Sequence, residues 1–468
     1  MFSTINNVLV AIDDFVWGLP LIVLILAVGI FLTIRLKGLQ FRHLGLGFKH
    51  MFKNESSGKD GEVSSFAALC TALSATIGTG NIVGVATAIV AGGPGALFWM
   101  WIAALLGIAT KYSECLLAVK YRTVAEDGHI VGGPFYYIEH GMGVKWKWLA
   151  KVFAFFGVGV GLFGIGTFTQ INGITSAVNT FFDPQNSWSV VLFGHSYSWT
   201  VIIAGILLTL CVALVIIGGL QRISKVAQVI VPFMAVTYVV TALVIIICNI
   251  TAVPAALLEI VQSAFGLRAV TGGALGAMIV AMQKGIARGI FSNEAGLGSA
   301  PIAAAAAHVE EPAKQGLVSM LGTFIDTIVI CTMTGLTIVI TGTWDIGLEG
   351  VAVTAKAFEL GLPLPGFVSD FILMICLVFF AFTTILGWDY YSEKCLEYLS
   401  GGNQKLVKGY RWVYIFAILI GPFMTVSAVW TIADIFNGLM AIPNLIALVA
   451  LNGVVVAETK KYLDTLKK

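Results

Sequence analysis

At 468 residues the chain has 58% hydrophobic and only 11% charged side chains, far below the roughly 25% charge of soluble domains. Its mean hydropathy of +0.93 excludes an ordinary water-soluble fold, and a formal net charge of +2 leaves the placement of charges as the informative quantity; no nucleic-acid partner is expected. Seven cysteines are scattered without a CxxC pair, which argues against a disulfide framework or a zinc site.

In chain order, the first apolar run covers residues 17–34 and is preceded by no basic cluster or small-residue cleavage site, so no signal peptide is expected. It ends in Arg35, Lys37, Arg42, Lys49, Lys53 and Lys59, which assigns this loop to the cytoplasm and the N-terminus to the outside. The second span, 65–91, is interrupted by Ser-Ala-Thr-Ile-Gly-Thr-Gly-Asn-Ile-Val-Gly over 74–84. The third, 96–119, returns to Lys120 and Arg122, and a fourth, 149–182, leads to a loop without Lys or Arg. A fifth comes back to Gln221-Arg-Ile-Ser-Lys225, and the sixth covers 226–250. The seventh, 272–308, is broken again by Gly289-Ile-Phe-Ser-Asn-Glu-Ala-Gly-Leu-Gly-Ser-Ala-Pro301. Spans at 315–341, 366–399, 412–426 and 429–457 follow, and the tail ends in Lys467-Lys468. Only Arg268 and Lys356 fall in external loops, as the positive-inside rule requires. The triplets Asn54-Glu-Ser56 and Asn249-Ile-Thr251 match a glycosylation acceptor, but lie on the cytoplasmic side and at a membrane edge, so neither is expected to be used.

This pattern predicts an all-α polytopic membrane protein of about 11 transmembrane helices. An N-terminal helix and basic loop (1–64) precede two oppositely oriented five-span units, 65–250 and 271–457, and a basic cytoplasmic tail (458–468). Two Gly-broken spans at matching positions of two halves point to a transporter's binding site. Each glycine weakens a helix by about 1 kcal/mol, and irregular backbone at membrane depth survives only where it is buried in protein or lines a cavity. The half-helix starting near Gly80 offers free N–H groups and a positive dipole end, which suit a carboxylate. Orphan carbonyls near Ile77 suit an ammonium group or Na+. An α-amino acid carries both charges on adjacent atoms.

The run Gly92-Gly-Pro-Gly-Ala-Leu-Phe-Trp-Met-Trp-Ile-Ala-Ala-Leu-Leu-Gly107 resembles the signature of the alanine or glycine:cation symporter family. So do 74–84, 132–139, 288–301 and Thr384-Ile-Leu-Gly-Trp-Asp-Tyr390. The resemblance spans nearly the whole chain. It implies the inverted-repeat fold typified by the bacterial leucine transporter, with Na+ or sometimes H+ driving uptake of small neutral amino acids across the cell (inner) membrane, and no enzymatic activity. It further implies a Na+ site from the carbonyls of Ser74, Ile77 and Phe380 with the hydroxyls of Thr383 and Thr384. The amino acid is expected at Thr79, Gly80 and Asn81, at Phe291, Ser292 and Asn293, and at Thr384. Gln170 and Asn172, polar in an apolar span, face either this cavity or a neighbouring helix. Phe168, Phe291 and Trp388 are expected to wall the cavity, leaving room for a methyl group. Glu294, Asp326, Asp389 and Asp434 stand out as acids inside spans, with Lys284 and Arg288 as candidate ion-pair partners for Glu294. H+ coupling, or transport of serine or glutamine, is the rival on the same fold.

Overall fold

The computed structural model describes residues 2–52, 61–125, 128–192, 195–267, 273–423 and 426–467. Lys53, Lys59, the triplet 54–56, Arg268 and Thr271 lie outside the described residues. The protein is a helical bundle; among the described residues, small antiparallel hairpins pair Thr123–Val124 with Ile130–Val131 and Ser189–Leu192 with His195–Ser198.

Among the described residues, nine helical segments are long and apolar enough to cross a bilayer, and a bent pair forms a tenth. The apolar helix α1 (Leu19–Arg35, 17 residues) is about 25 Å long, close to the hydrocarbon thickness. The bent pair is α2 (Ser65–Thr76) followed by a π-turn and α3, together covering Gly80–Gly92 at an angle of 53° to α2. Then come α4 (Gly95–Lys120), α5 (Lys147–Phe163) with α6 (Phe168–Phe182), α7 (Trp199–Ile216) and α8 (Gly219–Cys248). The second half has α9 (Ala274–Asn293) with α10 (Ala300–Ala304), and α11 (Pro312–Thr323) joined through a π-helical stretch to α12 (Thr332–Thr341). It closes with α13 (Gly366–Leu399), α14 (Gln404–Ile420) and α15 (Val426–Ala450).

The stretch expected as one span at 149–182 lies within one membrane-crossing segment, which turns between α5 and α6. Gly164 and Gly166 let the chain turn there: a methyl on Gly166 would lie 2.5 Å from the Gly161 carbonyl and 2.7 Å from Trp388 Cβ. The 429–457 run divides, with a separate helix at Asn452–Thr465. Where the loops are rich in Lys and Arg, the two broken helices are tied together. The amides of Glu62 and Val63 donate to the Ala306 carbonyl (2.8 and 3.2 Å), and His308 N–H donates to Val63 (2.7 Å). Arg122 donates to the carbonyls of Ala305, Ala307 and Val309 at 3.1, 2.6 and 2.9 Å, a cation placed on the negative end of α10. Arg122→Ala is therefore expected to loosen this closure. Each hydrogen bond lost to a charged group is worth about 1.5 kcal/mol, or roughly tenfold in the opening equilibrium. Hydrogen exchange at Val63 and His308, followed by mass spectrometry, should accelerate accordingly, and unchanged exchange would count against the contact.

Candidate functional site

The first break is built by amides that change partners. Ser64 caps α2 by accepting from Ala67 N–H (3.1 Å), and the helix ends at Ile77, whose backbone is extended (φ −77°, ψ 93°). A continuous helix would return the amides of Gly78 and Thr79 to the carbonyls of Ser74 and Ala75. Instead, Gly78 N–H donates to Asn81 Oδ1 (2.9 Å) and Thr79 N–H to Gln170 Oε1 (3.1 Å). Carbonyl oxygens are thereby turned away from helical bonding at the middle of the bundle.

Next to them, α13 supplies hydroxyls. Thr384 Oγ1 donates toward the carbonyls of both Ile77 (3.3 Å) and Phe380 (3.0 Å), and Thr383 Oγ1 toward Phe380 (3.0 Å). Ile77, Phe380, Thr383 and Thr384 thus converge, all buried. The hydroxyl of Ser74 turns back to the Thr71 carbonyl (2.7 Å), so only its main chain is available to this group. Two carbonyls and two hydroxyls on fixed helices are an oxygen-only donor set, the kind a hard cation takes.

The second break follows α9. Glu294 adopts a left-handed conformation (φ 55°), and Gly296 and Gly298 follow at φ 92° and 81°. For a residue with a Cβ this costs about 1–2 kcal/mol, and its own side chain and carbonyl are held in compensation. Trp388 Nε1 donates to Glu294 Oε1 (2.8 Å) and Ser299 Oγ to Oε2 (2.5 Å). The Lys111 ammonium donates to the Glu294 carbonyl (3.0 Å), neutralising the C-terminal end of α9. Behind it, Asn444 joins Glu114 (2.5 Å) to the Gly296 carbonyl (2.9 Å) and accepts from the Tyr137 hydroxyl.

The two breaks touch directly: a methyl on Gly80 would lie 3.2 Å from Ser292 Cα and 3.4 Å from the Phe291 ring. Asp326, on the π-helical stretch Phe324–Cys331, braces them. It accepts from Asn81 Nδ2 (2.7 Å), Ser292 Oγ (2.8 Å) and Thr327 Oγ1 (2.8 Å). Asn81 and Ser292 therefore spend their side chains on Asp326. Asn293 donates to Thr327 (2.9 Å), away from the first break. Phe168 packs beside Ala417, apart from both. Trp388 lies at the second break rather than beside Gly80. Thr79, Asn172 and Gly173 line a cavity of about 550 Å³ on the side away from the Val63–Ala307 seam, with Thr169, Ser176 and Arg288 on its wall. The buried Thr79 Oγ1 has no hydrogen-bond partner among the described residues.

Sequence reasoning marked Asp326 as an acid inside a span without its destination, and offered Lys284 and Arg288 as candidate ion-pair partners for Glu294. Arg288 instead grips Asp434 through two hydrogen bonds (3.2 and 3.0 Å) and lies over the Phe291 ring. Lys111 and Glu114 were passed over as a pair. Their signal was present: ionisable side chains at i and i+3 share a helix face, and inside a span such residues are rarely idle.

The model of the sodium:alanine symporter family matches residues 2–468. An uncharacterised transporter of Haemophilus influenzae is 54% identical over 466 residues, covering 99% of this chain and 97% of that one. The sodium/alanine symporter AgcS of Methanococcus maripaludis is 47% identical over 477 residues, covering 99% and 98%. In fold, the chain is similar to the crystal structure of MhsT in complex with L-phenylalanine, with a TM-score of 0.57 over 86% of this chain and 93% of that one, at 14% identity.

Proposed function

The chain belongs to the sodium:alanine symporter family, and from that premise we propose that it imports alanine or glycine together with Na+ by alternating access. It is a multi-pass transporter and not an enzyme; the cation, the substrate and the direction are our reading. The observation that carries it is the bridge made by Thr384, which brings its own hydroxyl and the carbonyls of Ile77 and Phe380 to one point beside the first break. Na+ would be held there by these atoms with Thr383 and the Ser74 carbonyl, as a co-transported substrate.

The amino acid would lie across the first break, its carboxylate toward the amides near Gly80 and its ammonium toward the carbonyls near Ile77. The unpartnered Thr79 hydroxyl and the adjacent cavity support this placement. The close approach of Gly80 to Phe291 and Ser292 favours a small side chain. One helix bundle would rock against the other, with the basic loops and C-terminus in the cytoplasm and the N-terminus outside. In that frame the seam at Val63–Ala307 is the cytoplasmic closure.

The test is labelled L-alanine uptake into proteoliposomes under an inward Na+ gradient, an equal K+ gradient or an inward H+ gradient. Accumulation with Na+ alone is expected. Thr384→Ala should then raise the Na+ concentration for half-maximal uptake about tenfold, the equivalent of losing one ion–oxygen contact of roughly 1.4 kcal/mol. Uptake driven equally by K+, or none at all, would defeat the proposal.

A further inference from the structure

Asp389 takes no part in the site described above, yet it is fully buried in the middle of α13. Neither of its carboxyl oxygens has a hydrogen-bond partner among the described residues. An ionised carboxylate without a hydrogen-bond partner is costly in such surroundings. The nearby cation cannot neutralise it as well: Arg411 of α14 is engaged by Glu393, Nε to Oε1 at 2.5 Å and Nη2 to Oε2 at 2.7 Å. The charged and titratable groups facing Asp389 are Glu393 on its own helix and Arg411, Tyr410 and Tyr414 on α14. On the other side Gly161 of α5 packs at Ser392, and Gly166 just after it at Trp388. Tyr414 donates to the carbonyls of Gly166 and Ile385, both at 2.8 Å, so the α14 wall is fixed to the turn between α5 and α6.

A second observation places this acid on a charged face. Asp389, Glu393 and Glu397 recur every four residues and form one face of α13. The ladder runs from the buried middle to the end where the loops are basic. There Glu397 meets His129 (2.7 Å), Lys394 (2.8 Å) and Gln404 (2.9 Å). We propose that Asp389 is a proton-binding site of this transporter, taking up and releasing a proton as the protein changes conformation, on the face of α13 that continues through Glu393 and Glu397 to the basic end. Only an O–H bond is broken and remade when the proton leaves or rejoins an Asp389 oxygen. Because the peptide after Trp388 carries Asp389, and Trp388 holds Glu294, the protonation step is mechanically joined to the second break. This inference rests on the transport reading but is tested separately from it.

Two readouts are compared in wild type and Asp389→Asn. Infrared difference spectroscopy on purified protein near neutral pH should show a neutral-carboxyl C=O stretch that is absent from Asp389→Asn, whether or not the protein transports alanine. In proteoliposomes at saturating Na+, wild-type uptake should change about fivefold or more between pH 6 and pH 8, as a single titrating group allows. The Asp389→Asn protein should change less than about twofold over the same range. Asparagine is isosteric with the neutral acid, so the variant should fold in normal yield; failure to fold would overturn the proposal. So would an unchanged pH profile in Asp389→Asn, or a missing band. A band that appears only when Na+ is replaced by choline would assign the site to a cation and overturn it too. No alanine uptake by wild type, with the band intact, would defeat the transport reading and leave the proton site standing.

Discussion

Gly78→Ala is expected to raise the Na+ requirement of alanine uptake by about ten- to a hundredfold, the equivalent of the 1–3 kcal/mol typical of overpacking. The backbone does not demand glycine here, since Gly78 is not among the positive-φ residues; the demand comes from space. An added methyl would lie 2.5 Å from Thr384 Oγ1 and 3.1 Å from Gln170 Oε1. Neither neighbour can step aside freely. Thr384 is bonded to the Ile77 and Phe380 carbonyls, and Gln170 accepts the Thr79 amide. The methyl therefore pushes apart the oxygens proposed to hold the ion. The check is a double-mutant comparison of Na+ dependence in Gly78→Ala, Thr384→Ala and the pair. If both act on one ion site, the second change should add little to the first. Fully additive effects, or wild-type Na+ dependence in Gly78→Ala, would show that this contact is not used.

The breaks themselves were legible in the sequence because glycine and proline mark them locally. Gly78 and Gly80 weaken a helix wherever they stand in a span, and Gly296, Gly298 and Pro301 do the same in the second half. The Thr383–Thr384 pair was legible for a similar reason: three and four residues after Phe380, its hydroxyls fall on the Phe380 side of α13 by helical geometry alone. Partner identity was not. Arg288 and Glu294 are six residues apart on one broken helix, which made them look like a pair, whereas Asp434 arrives from α15, 146 positions away in sequence. The turn between α5 and α6 was hidden because Gly164 and Gly166 sit within an otherwise uninterrupted apolar run, and their reason, the approach of Trp388, is tertiary. The same limit explains Asn81. Its position beside Gly80 made it a substrate contact on paper, but its two polar ends are taken by Gly78 and Asp326.

That last arrangement yields the largest effect of all. Asp326→Ala should abolish uptake, because three buried donors lose their common acceptor at once: Asn81 Nδ2, Ser292 Oγ and Thr327 Oγ1. Each buried donor left unsatisfied costs about 1–3 kcal/mol, and three together are enough for a loss of a hundredfold or more in any step that needs the two breaks in register. Stability alone does not account for the expectation, and Asp326→Asn separates the two causes. The amide keeps the shape of the carboxyl group and one of its acceptors, and the Ser292 or Thr327 hydroxyl can rotate to accept from its new N–H donors. Asp326→Asn should therefore melt near the wild-type temperature in detergent while still transporting about tenfold more slowly, since the charge-assisted bond to Asn81 is about twice as strong as its neutral replacement. Asn81 also holds the Gly78 amide, so loosening it frees the turn on which the Ile77 carbonyl is presented. The comparison that decides is uptake against melting temperature across wild type, Asp326→Asn and Asp326→Ala. Uptake that merely tracks melting temperature would make Asp326 a packing residue. Uptake that falls in Asp326→Asn at constant melting temperature would make it the brace between the breaks.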